Sequence, residues 1–413
     1  MSAPSDDAQP RFRDALRRLP PVVWTLSLGI LVNRIGNFLP VFMVLYLTGR
    51  GFSPGAAGLV LGAAGLGNVL GNTLGGVLAD RLGRRWTIVL SMVCAAGLTA
   101  SIPLFDTLPL LIVMAFLTGT AAQLYRPAAA AVLVDASGSP QERLAAFAVF
   151  RFAINIGAAL GAALGGALAT VSYPGLFLGN AAACLLFAGV AAVLLRDRPR
   201  GDADGGTGEV EPKVGYREAL ADRALLRFLV MAVLAEFIYV QSTVGLPLHV
   251  SDAGMSPASF GLLISVNGVL VLLFELPITS AVSRRTPHLV LLWGNLATGV
   301  GLALTGVSAN MSWLIATVVL WTLGEMLYAS VAAAHLGGLA PPALVGRYQG
   351  LYGAAITFGT GVGPLVGGLA YAVDPWALWA LCAVGGVVSG VLCLPSRGGK
   401  RVAAEEPASP TAP

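Results

Sequence analysis

The chain has 413 residues, of which 56% are hydrophobic and 11% are charged, and its mean hydropathy is +0.78. Soluble domains carry about 25% charged residues, so this composition excludes an ordinary soluble domain and requires lipid around much of the surface. The net charge of +4 would suit a nucleic-acid partner, but the placement of the basic residues explains it without one. In lipid, backbone polar groups must pair within the protein, and apolar runs of roughly 19–27 residues fit helices rather than strands.

Twelve apolar runs separated by turn-forming residues predict an all-α membrane protein with twelve transmembrane helices, which we call spans 1 to 12. A charged, glycine-rich stretch is expected to form a flexible linker between two six-helix bundles. The predicted ranges of the spans are 22–48, 56–78, 86–106, 109–134, 145–168, 174–195, 225–249, 258–280, 287–307, 312–336, 347–372 and 376–394. The predicted units are an N-terminal segment (1–20), a first bundle (21–195), the linker (196–224), a second bundle (225–395) and a tail (396–413).

Basic residues predict the orientation of the spans. Of the 25 lysines and arginines, Arg50 follows span 1 and three lie well inside spans. The other 21 lie in the N-terminal segment, in alternate loops or the first residues of the spans that follow them, or in the C-terminal tail. Because cytoplasmic loops are enriched in Lys and Arg, we expect both termini and the linker in the cytoplasm.

The most specific motif joins span 2 to span 3. A glycine-lined apolar helix runs into a tight turn with one acid and three bases, and it resembles the G-x8-G-x3-D-[RK]-x-G-R-[RK] signature of the major facilitator superfamily (MFS). The resemblance covers about residues 20–395 and implies a transporter fold of two six-helix repeats. Every signature position is matched, by Gly67, Gly76, Asp80, Arg81, Gly83, Arg84 and Arg85.

The signature loop is expected to act as a gating latch. Asp80 can pair with Arg84 four residues on, or face the positively polarised start of span 11 near Arg347. Either contact would hold that end of the bundle closed and break when the halves rock. The corresponding loop of the second half, Ser280–Arg285, lacks the acid and the glycine, so the latch is expected on one side only.

The two halves repeat at an offset of about 202 residues. Gly51–Pro54 before span 2 matches Gly254–Pro257 before span 8, and glycine-rich stretches of spans 5 and 11 also match. Because six spans separate each pair, the repeats are parallel, as in MFS halves. The span 5 stretch resembles an antiporter signature of the family, although Ala162 replaces its proline. Small residues let helices approach closely, and packing of the halves is expected at Gly157, Gly161, Gly165, Gly166, Gly359, Gly363, Pro364, Gly367 and Gly368.

Six ionisable residues lie inside spans, where burial is costly and a functional role is the first expectation. Arg34, Glu236 and Glu325 lie near the middles of spans 1, 7 and 10, and Arg34 falls on Glu236 under the repeat. A central base facing two acids predicts a proton switch, because protonation of one acid changes the charge balance. A fixed Arg34–Glu236 salt bridge is the structural alternative.

The other three ionisable residues lie nearer the cytoplasmic ends of their spans. Arg126 and Arg151 either bind a ligand or extend to the membrane interface, as long basic side chains do. Glu275 either takes part in function or bonds freed backbone groups or Asn267 nearby, since Pro277 follows it by two residues.

Polar and aromatic neighbours extend the candidate site, because helical spacing places them beside the central charges. Aromatic rings beside a buried acid suit a bulky, partly apolar or cationic ligand, although packing alone would also explain them. These neighbours are Asn33 and Asn37 on span 1, Asn155 on span 5, Tyr239 and Gln241 on span 7, and Trp321 and Tyr328 on span 10.

The sequence as a whole is similar to bacterial drug-efflux members of the MFS. That resemblance implies a proton-coupled exporter of small amphipathic compounds. The first alternative is an uptake symporter or facilitator for a polar or anionic nutrient, with Arg34, Arg126 and Arg151 as anion ligands. The remote alternative is a membrane receptor that does not transport.

No enzyme activity is expected, since the sequence has no nucleophile–base pair, nucleotide-binding loop or metal-ligand spacing. No cofactor or metal is expected either, and a proton gradient would supply the energy. The expected partners are a small-molecule substrate, protons and the lipid bilayer, with no nucleic acid and with the protein as a monomer.

Overall fold

The structure, a computed structural model, describes residues 16–195, 216–282, 285–341 and 344–394. Within these ranges the chain is helical and contains no β-strand. Single helices form spans 2, 3, 5, 6 and 8 to 12: Pro54–Leu82, Arg84–Ser101, Pro140–Val171, Tyr173–Leu194, Pro257–Val282, Pro287–Thr305, Met311–Leu339, Val345–Val373 and Pro375–Leu392. Spans 1, 4 and 7 are pairs of helices: Pro21–Ile35 with Leu39–Gly49, Leu108–Gln123 with Tyr125–Asp135, and Arg223–Tyr239 with Gln241–Asp252.

The predicted all-α, twelve-span architecture is confirmed. Eleven helices of the described ranges are long and apolar enough to cross a membrane when each pair in spans 4 and 7 is taken as one. Span 1 completes the set, although residues 36–38 interrupt it and leave Pro21–Ile35 as a shorter apolar helix. Residues 196–215 of the predicted linker and the tail 396–413 lie outside the described ranges, as do residues 1–15. The described end of the linker contains a short helix, Tyr216–Ala221.

The two halves that match in sequence also share a backbone conformation. Gly51 and Gly254 both adopt a positive φ, of 87° and 69°, in the turns before spans 2 and 8. This left-handed conformation favours glycine, since any side chain would be strained there. The amide of each glycine donates to the carbonyl three residues before it, over 2.9 Å in both turns. The same turn therefore opens the same span in each half.

Glycines also place the two halves in equivalent contact with each other. A Cβ on Gly166 of span 5 would lie 3.0 Å from the Cα of Gly261 in span 8. A Cβ on Gly368 of span 11 would lie 3.1 Å from the Cα of Gly58 in span 2. Spans 5 and 8 therefore approach as closely as spans 11 and 2, which is possible because small residues line both contacts. The expectation that packs the halves together at nine small residues holds for Gly166, Pro364 and Gly368. It is wrong for the other six, which pack against span 1 or span 7 of their own half: Gly157, Gly161, Gly165, Gly359, Gly363 and Gly367.

These contacts lie at one end of the bundle. We call the end with loops 2–3, 4–5, 8–9 and 10–11 the basic end, and the other the closed end. At the closed end, the first part of span 2 packs on the last part of span 11, and Leu39–Gly49 contacts Gln241–Asp252. Toward the basic end of span 11, Gly346, Gly350 and Gly353 have no atom within 4 Å of the position a Cβ would take. The halves thus meet at the closed end and separate along spans 2 and 11 toward the basic end.

Candidate functional site

A cavity of about 460 Å³ lies between the halves beside the closed end. Spans 1 to 6 form most of its wall, and a few residues of spans 7, 8 and 11 complete it. Its volume lies in the range of sites for small organic ligands. The polar side chains of the lining are Asn33, Arg34, Asn37, Asn68, Thr99, Thr118, Gln123, Tyr125, Asn180, Thr243 and Thr360, beside the thiol of Cys184.

Arg34 is the one charged side chain among the lining residues that the structure describes. It occupies the last turn of Pro21–Ile35, just before the interruption of span 1. Its Nη2 donates to the hydroxyl of Tyr125 over 3.3 Å, whereas its buried Nε has no hydrogen-bond partner in the described ranges. The guanidinium is therefore held in place on one side only.

Amide side chains surround Arg34 on the cavity wall. Asn33 donates to the sulfur atoms of Cys184 and Met92, over 3.3 and 3.5 Å. The amide nitrogen of Asn180 donates to the side-chain oxygen of Asn37 over 3.3 Å. These bonds join span 1 to spans 3 and 6. The predicted site residues Asn33 and Asn37 thus do lie beside Arg34, in a polar wall of the first half.

The two central acids lie together inside the second half. Asn267 of span 8 donates to the Glu325 carboxylate over 2.8 Å and to the Thr322 hydroxyl over 3.0 Å. The Tyr239 hydroxyl also interacts with this carboxylate, and Glu236 lies close enough to interact electrostatically with Glu325. We call Glu236, Glu325, Tyr239 and Asn267 the acid cluster.

The acid cluster is separate from the cavity, because none of its members is among the described lining residues. Nor do Arg34 and Glu236 form an ion pair anywhere in the described ranges. The expectation that a central base faces two acids, and its salt-bridge alternative, are both wrong for this conformation. The physical reason is that each residue packs within its own half, Arg34 against span 5 and Glu236 against span 11.

Two predicted ligand residues turn out to be packed inside the protein. Trp321 is almost fully buried, and its ring meets that of Tyr239 edge-on, with centroids 6.1 Å apart. Gln241 is fully buried and donates to the carbonyls of Phe237, over 2.8 Å, and Gly363, over 3.1 Å. Neither side chain lines the cavity, so we assign both to packing.

Tyr328 bonds to an aromatic partner rather than to an acid. Its hydroxyl lies 3.2 Å from that of Tyr352 in span 11. Like Trp321, it does not line the cavity.

Arg151 and Glu275 form an ion pair that joins the first half to the second, from span 5 to span 8. The expected bond between Glu275 and Asn267 is wrong, since Asn267 bonds the Glu325 cluster and the partner of Glu275 comes from the other half. Arg126 is exposed, and neither it nor Asn155 lines the cavity. Of the three arginines expected as anion ligands, the cavity contains only Arg34.

Comparison with known proteins identifies the family. A family model described as Major Facilitator Superfamily matches residues 26–285 and 243–412. The chain belongs to the major facilitator superfamily. The MFS transporter YqjV of Bacillus subtilis (strain 168) is 27% identical over 383 residues, which are 91% of this chain and 92% of that protein.

Two further MFS relatives have named activities. A Na(+), Li(+), K(+)/H(+) antiporter of Planococcus maritimus is 24% identical over 78% of this chain and 83% of its own length. The multidrug resistance protein MdtH of Cronobacter sakazakii is 24% identical over 84% of this chain and 87% of its own length. The crystal structure of the nucleoside transporter NupG superposes with a TM-score of 0.76 at 14% identity, over 91% of this chain and 98% of that one, which shows a shared fold. This MFS protein is therefore a transporter of a small molecule and not an enzyme.

The MFS signature loop lies at the basic end. Gly83 ends span 2 with a φ of 86°, so the signature glycine is required by the turn itself. Arg84 forms an ion pair with Asp135 and donates to the carbonyl of Ala131 over 3.1 Å, both at the end of span 4. Asp80 is exposed at this end. The latch between Asp80 and span 11 stays a prediction, and residues 283–284 of the matching loop lie outside the described ranges.

Several residues of the cavity in this MFS protein were not predicted from the sequence. Gln123 and Tyr125 flank the junction of the two helices of span 4, and Asn180 is an isolated amide in span 6. The signal for Asn180 was present, because an uncharged polar residue inside an apolar span usually bonds another helix. Tyr125 gave no such signal, since aromatic residues are common in packed spans.

Proposed function

We propose that this protein is a secondary active transporter that exports small amphipathic compounds in exchange for protons. One observation carries the proposal: the ligand cavity lies largely in the first half, while the acid cluster lies in the second. The names of the multidrug and cation/proton antiporter relatives support export and proton exchange. The arginine-rich loops support placing the basic end in the cytoplasm of a bacterial inner membrane.

The separation suggests how the two fluxes are coupled. A substrate entering from the basic end reaches a cavity that is closed at the other end. Loading or unloading a proton at Glu325 or Glu236 changes the charge buried in the second half, and with it the relative stability of the two open states. In this scheme the substrate and the proton do not compete for one residue, and they communicate through the contact of the halves.

The test uses everted membrane vesicles with an imposed pH gradient and labelled aromatic probes chosen by a growth-inhibition screen. Glu325→Gln and Glu236→Gln should each lower gradient-driven accumulation at least about tenfold. A glutamine cannot bind and release the proton whose gradient drives the accumulation. Glu218→Gln changes an exposed acid outside the spans and should leave transport unchanged. Accumulation at the wild-type rate in both cluster variants would refute proton coupling through this cluster.

An uptake transporter for an anionic nutrient is the second candidate, favoured by the single positive charge of the cavity. The direction of transport distinguishes this candidate from the exporter. Intact cells would accumulate the labelled anion in a manner that depends on Arg34, whereas an exporter would lower the cellular content of its substrate.

A further inference from the structure

We propose that the cavity selects amphipathic anions, with an aromatic or branched apolar body and one carboxylate or similar acidic group, and that Arg34 binds the acidic group. This inference deepens the proposed function by naming the class of its substrate, and it rests on that function for transport but not for binding.

Charge is the first argument. Arg34 is the one charged residue of the described lining, and both central acids are kept in the acid cluster of the other half. A cationic ligand would enter a cavity that has a positive charge and no described carboxylate to offset it. An anion would neutralise the guanidinium inside a protein cavity, where opposite charges attract more strongly than in bulk water.

Hydrogen bonding is the second argument. The Nη2 of Arg34 is occupied by Tyr125, but the Nε of Arg34, the Oγ1 of Thr118 and the Oε1 of Gln123 are buried without a partner in the described ranges. All three side chains line the cavity. Buried polar groups are seldom left unpaired, so these atoms indicate where a polar ligand group binds. A carboxylate suits the Nε of Arg34 and the hydroxyl of Thr118, because both can donate to it. The Oε1 of Gln123 accepts and therefore pairs with a donor rather than with the carboxylate.

The rest of the wall determines the body of the ligand. Apolar side chains face the cavity from several spans, among them Phe38, Phe42, Met43, Leu61 and Ile264. A volume of about 460 Å³ accommodates one or two aromatic rings together with an acidic group. A small inorganic anion would leave this apolar surface uncovered, so the site favours an amphipathic molecule.

An electrical consequence follows for transport. An anion that leaves the cell and a proton that enters both carry positive charge inward, so the two charge movements add. Export of the anion should therefore be accelerated by a membrane potential that is negative inside. Exchange of a monovalent cation for one proton would move no net charge.

The experiment measures binding to the purified full-length protein by isothermal titration. The probes are a matched set with one naphthalene body: 2-naphthoate, 2-naphthamide and 2-naphthylmethylammonium. We expect the carboxylate to bind on the order of 10- to 100-fold more tightly than the other two, the range of a charge-assisted hydrogen bond. Equal or tighter binding of the amide or the cation overturns the proposal, as does absence of carboxylate binding.

Variants locate the preference at Arg34. Arg34→Gln should abolish the preference for the carboxylate and leave the amide bound as before, whereas Arg34→Lys should retain a weakened preference. Arg143→Gln removes the same charge at an exposed position in the first turn of the span 5 helix and should change nothing. A carboxylate preference that survives in Arg34→Gln assigns anion binding elsewhere and overturns the proposal. The comparison of probes on the wild-type protein stands even if a variant fails to fold.

The outcomes separate the two proposals. Anion-selective binding without proton-driven transport would uphold the substrate class and refute the exporter. Proton-driven export of cations or neutral compounds alone would uphold the exporter and refute the substrate class.

Discussion

Equivalent positions in the two halves have the same packing and opposite charge. A Cβ on Gly157 would lie 2.6 Å from the Cβ of Arg34, and a Cβ on Gly359 would lie 2.7 Å from the Cβ of Glu236. In both halves the next closest atom is a backbone carbonyl oxygen three residues before the charged one. The two halves therefore share the same helix contact, but the side chain at that contact is basic in the first half and acidic in the second. Close packing constrains the backbone and the Cβ atom, whereas the part of the side chain beyond Cβ can differ between the halves according to its function.

A second comparison concerns the two contacts between the halves. Spans 5 and 8 are joined toward the basic end by the Arg151–Glu275 ion pair. In spans 11 and 2, the residues that the repeat places at these positions are Gly353 and Asn72, which have no charge. The two contacts are alike at the closed end and differ toward the basic end. There an ion pair joins spans 5 and 8, whereas the equivalent positions of spans 11 and 2 carry no charge.

The largest expected effect tests the symmetry of the closed end. A Cβ would lie 2.4 Å from the carbonyl oxygen of Pro364 in Gly58→Val and 2.5 Å from that of Ala162 in Gly261→Val. Backbone atoms cannot retreat as a flexible side chain can, so each variant should destabilise the closed end by about 1–3 kcal/mol and slow transport at least about tenfold. Gly97→Val, with no atom within 4 Å, is the control. A large loss at only one of the two positions would show that the contacts are not equivalent.

A smaller effect tests the assignment of Gln241 to packing. Gln241→Leu removes two hydrogen bonds that join the junction in span 7 to spans 7 and 11. Thermal unfolding should show a loss of about 1–3 kcal/mol, while the affinity for naphthoate stays unchanged. Gln349→Leu removes one bond near the surface and should cost less. If the variant lost affinity without losing stability, Gln241 would belong to the binding site after all.

The smallest effect concerns the ion pair between the halves. Arg151 is exposed, and ion pairs in such surroundings contribute roughly 0–1 kcal/mol, so Arg151→Gln should lower the unfolding temperature only slightly. The double variant Asn72→Glu with Gly353→Arg would give the other contact a matching pair. Transport by that variant should fall below that of either single variant, because both contacts would then be fastened toward the basic end. An unchanged rate would indicate that the pair does not restrain the halves.

Much of the fold could be predicted from the sequence, because it depends on local signals. Apolar length predicted the spans, and the positive φ of Gly51, Gly83 and Gly254 coincides with glycines of the matched motifs. The site was harder to predict, because helical spacing assigns a residue to a face but does not say which helix covers that face. Asn267 is one of the alternative partners that the sequence offers Glu275 on the same helix, whereas in the structure it bonds Glu325 across spans. Likewise, Arg34 and Glu236 are equivalent under the repeat, but they form no ion pair in the described ranges, because each packs within its own half.

The interruption of span 1 has a mechanical consequence. Residues 36–38 separate the helix that carries Arg34 from an 11-residue helix, Leu39–Gly49, that packs on span 7 at the closed end. An unbroken helix resists bending because its hydrogen bonds form one continuous ladder, and a gap in that ladder acts as a joint. If the closed end opens by a movement of the outer helix at this break, the helix that carries Arg34 can stay in place. The proposed anion would then remain bound to Arg34 until that end has opened.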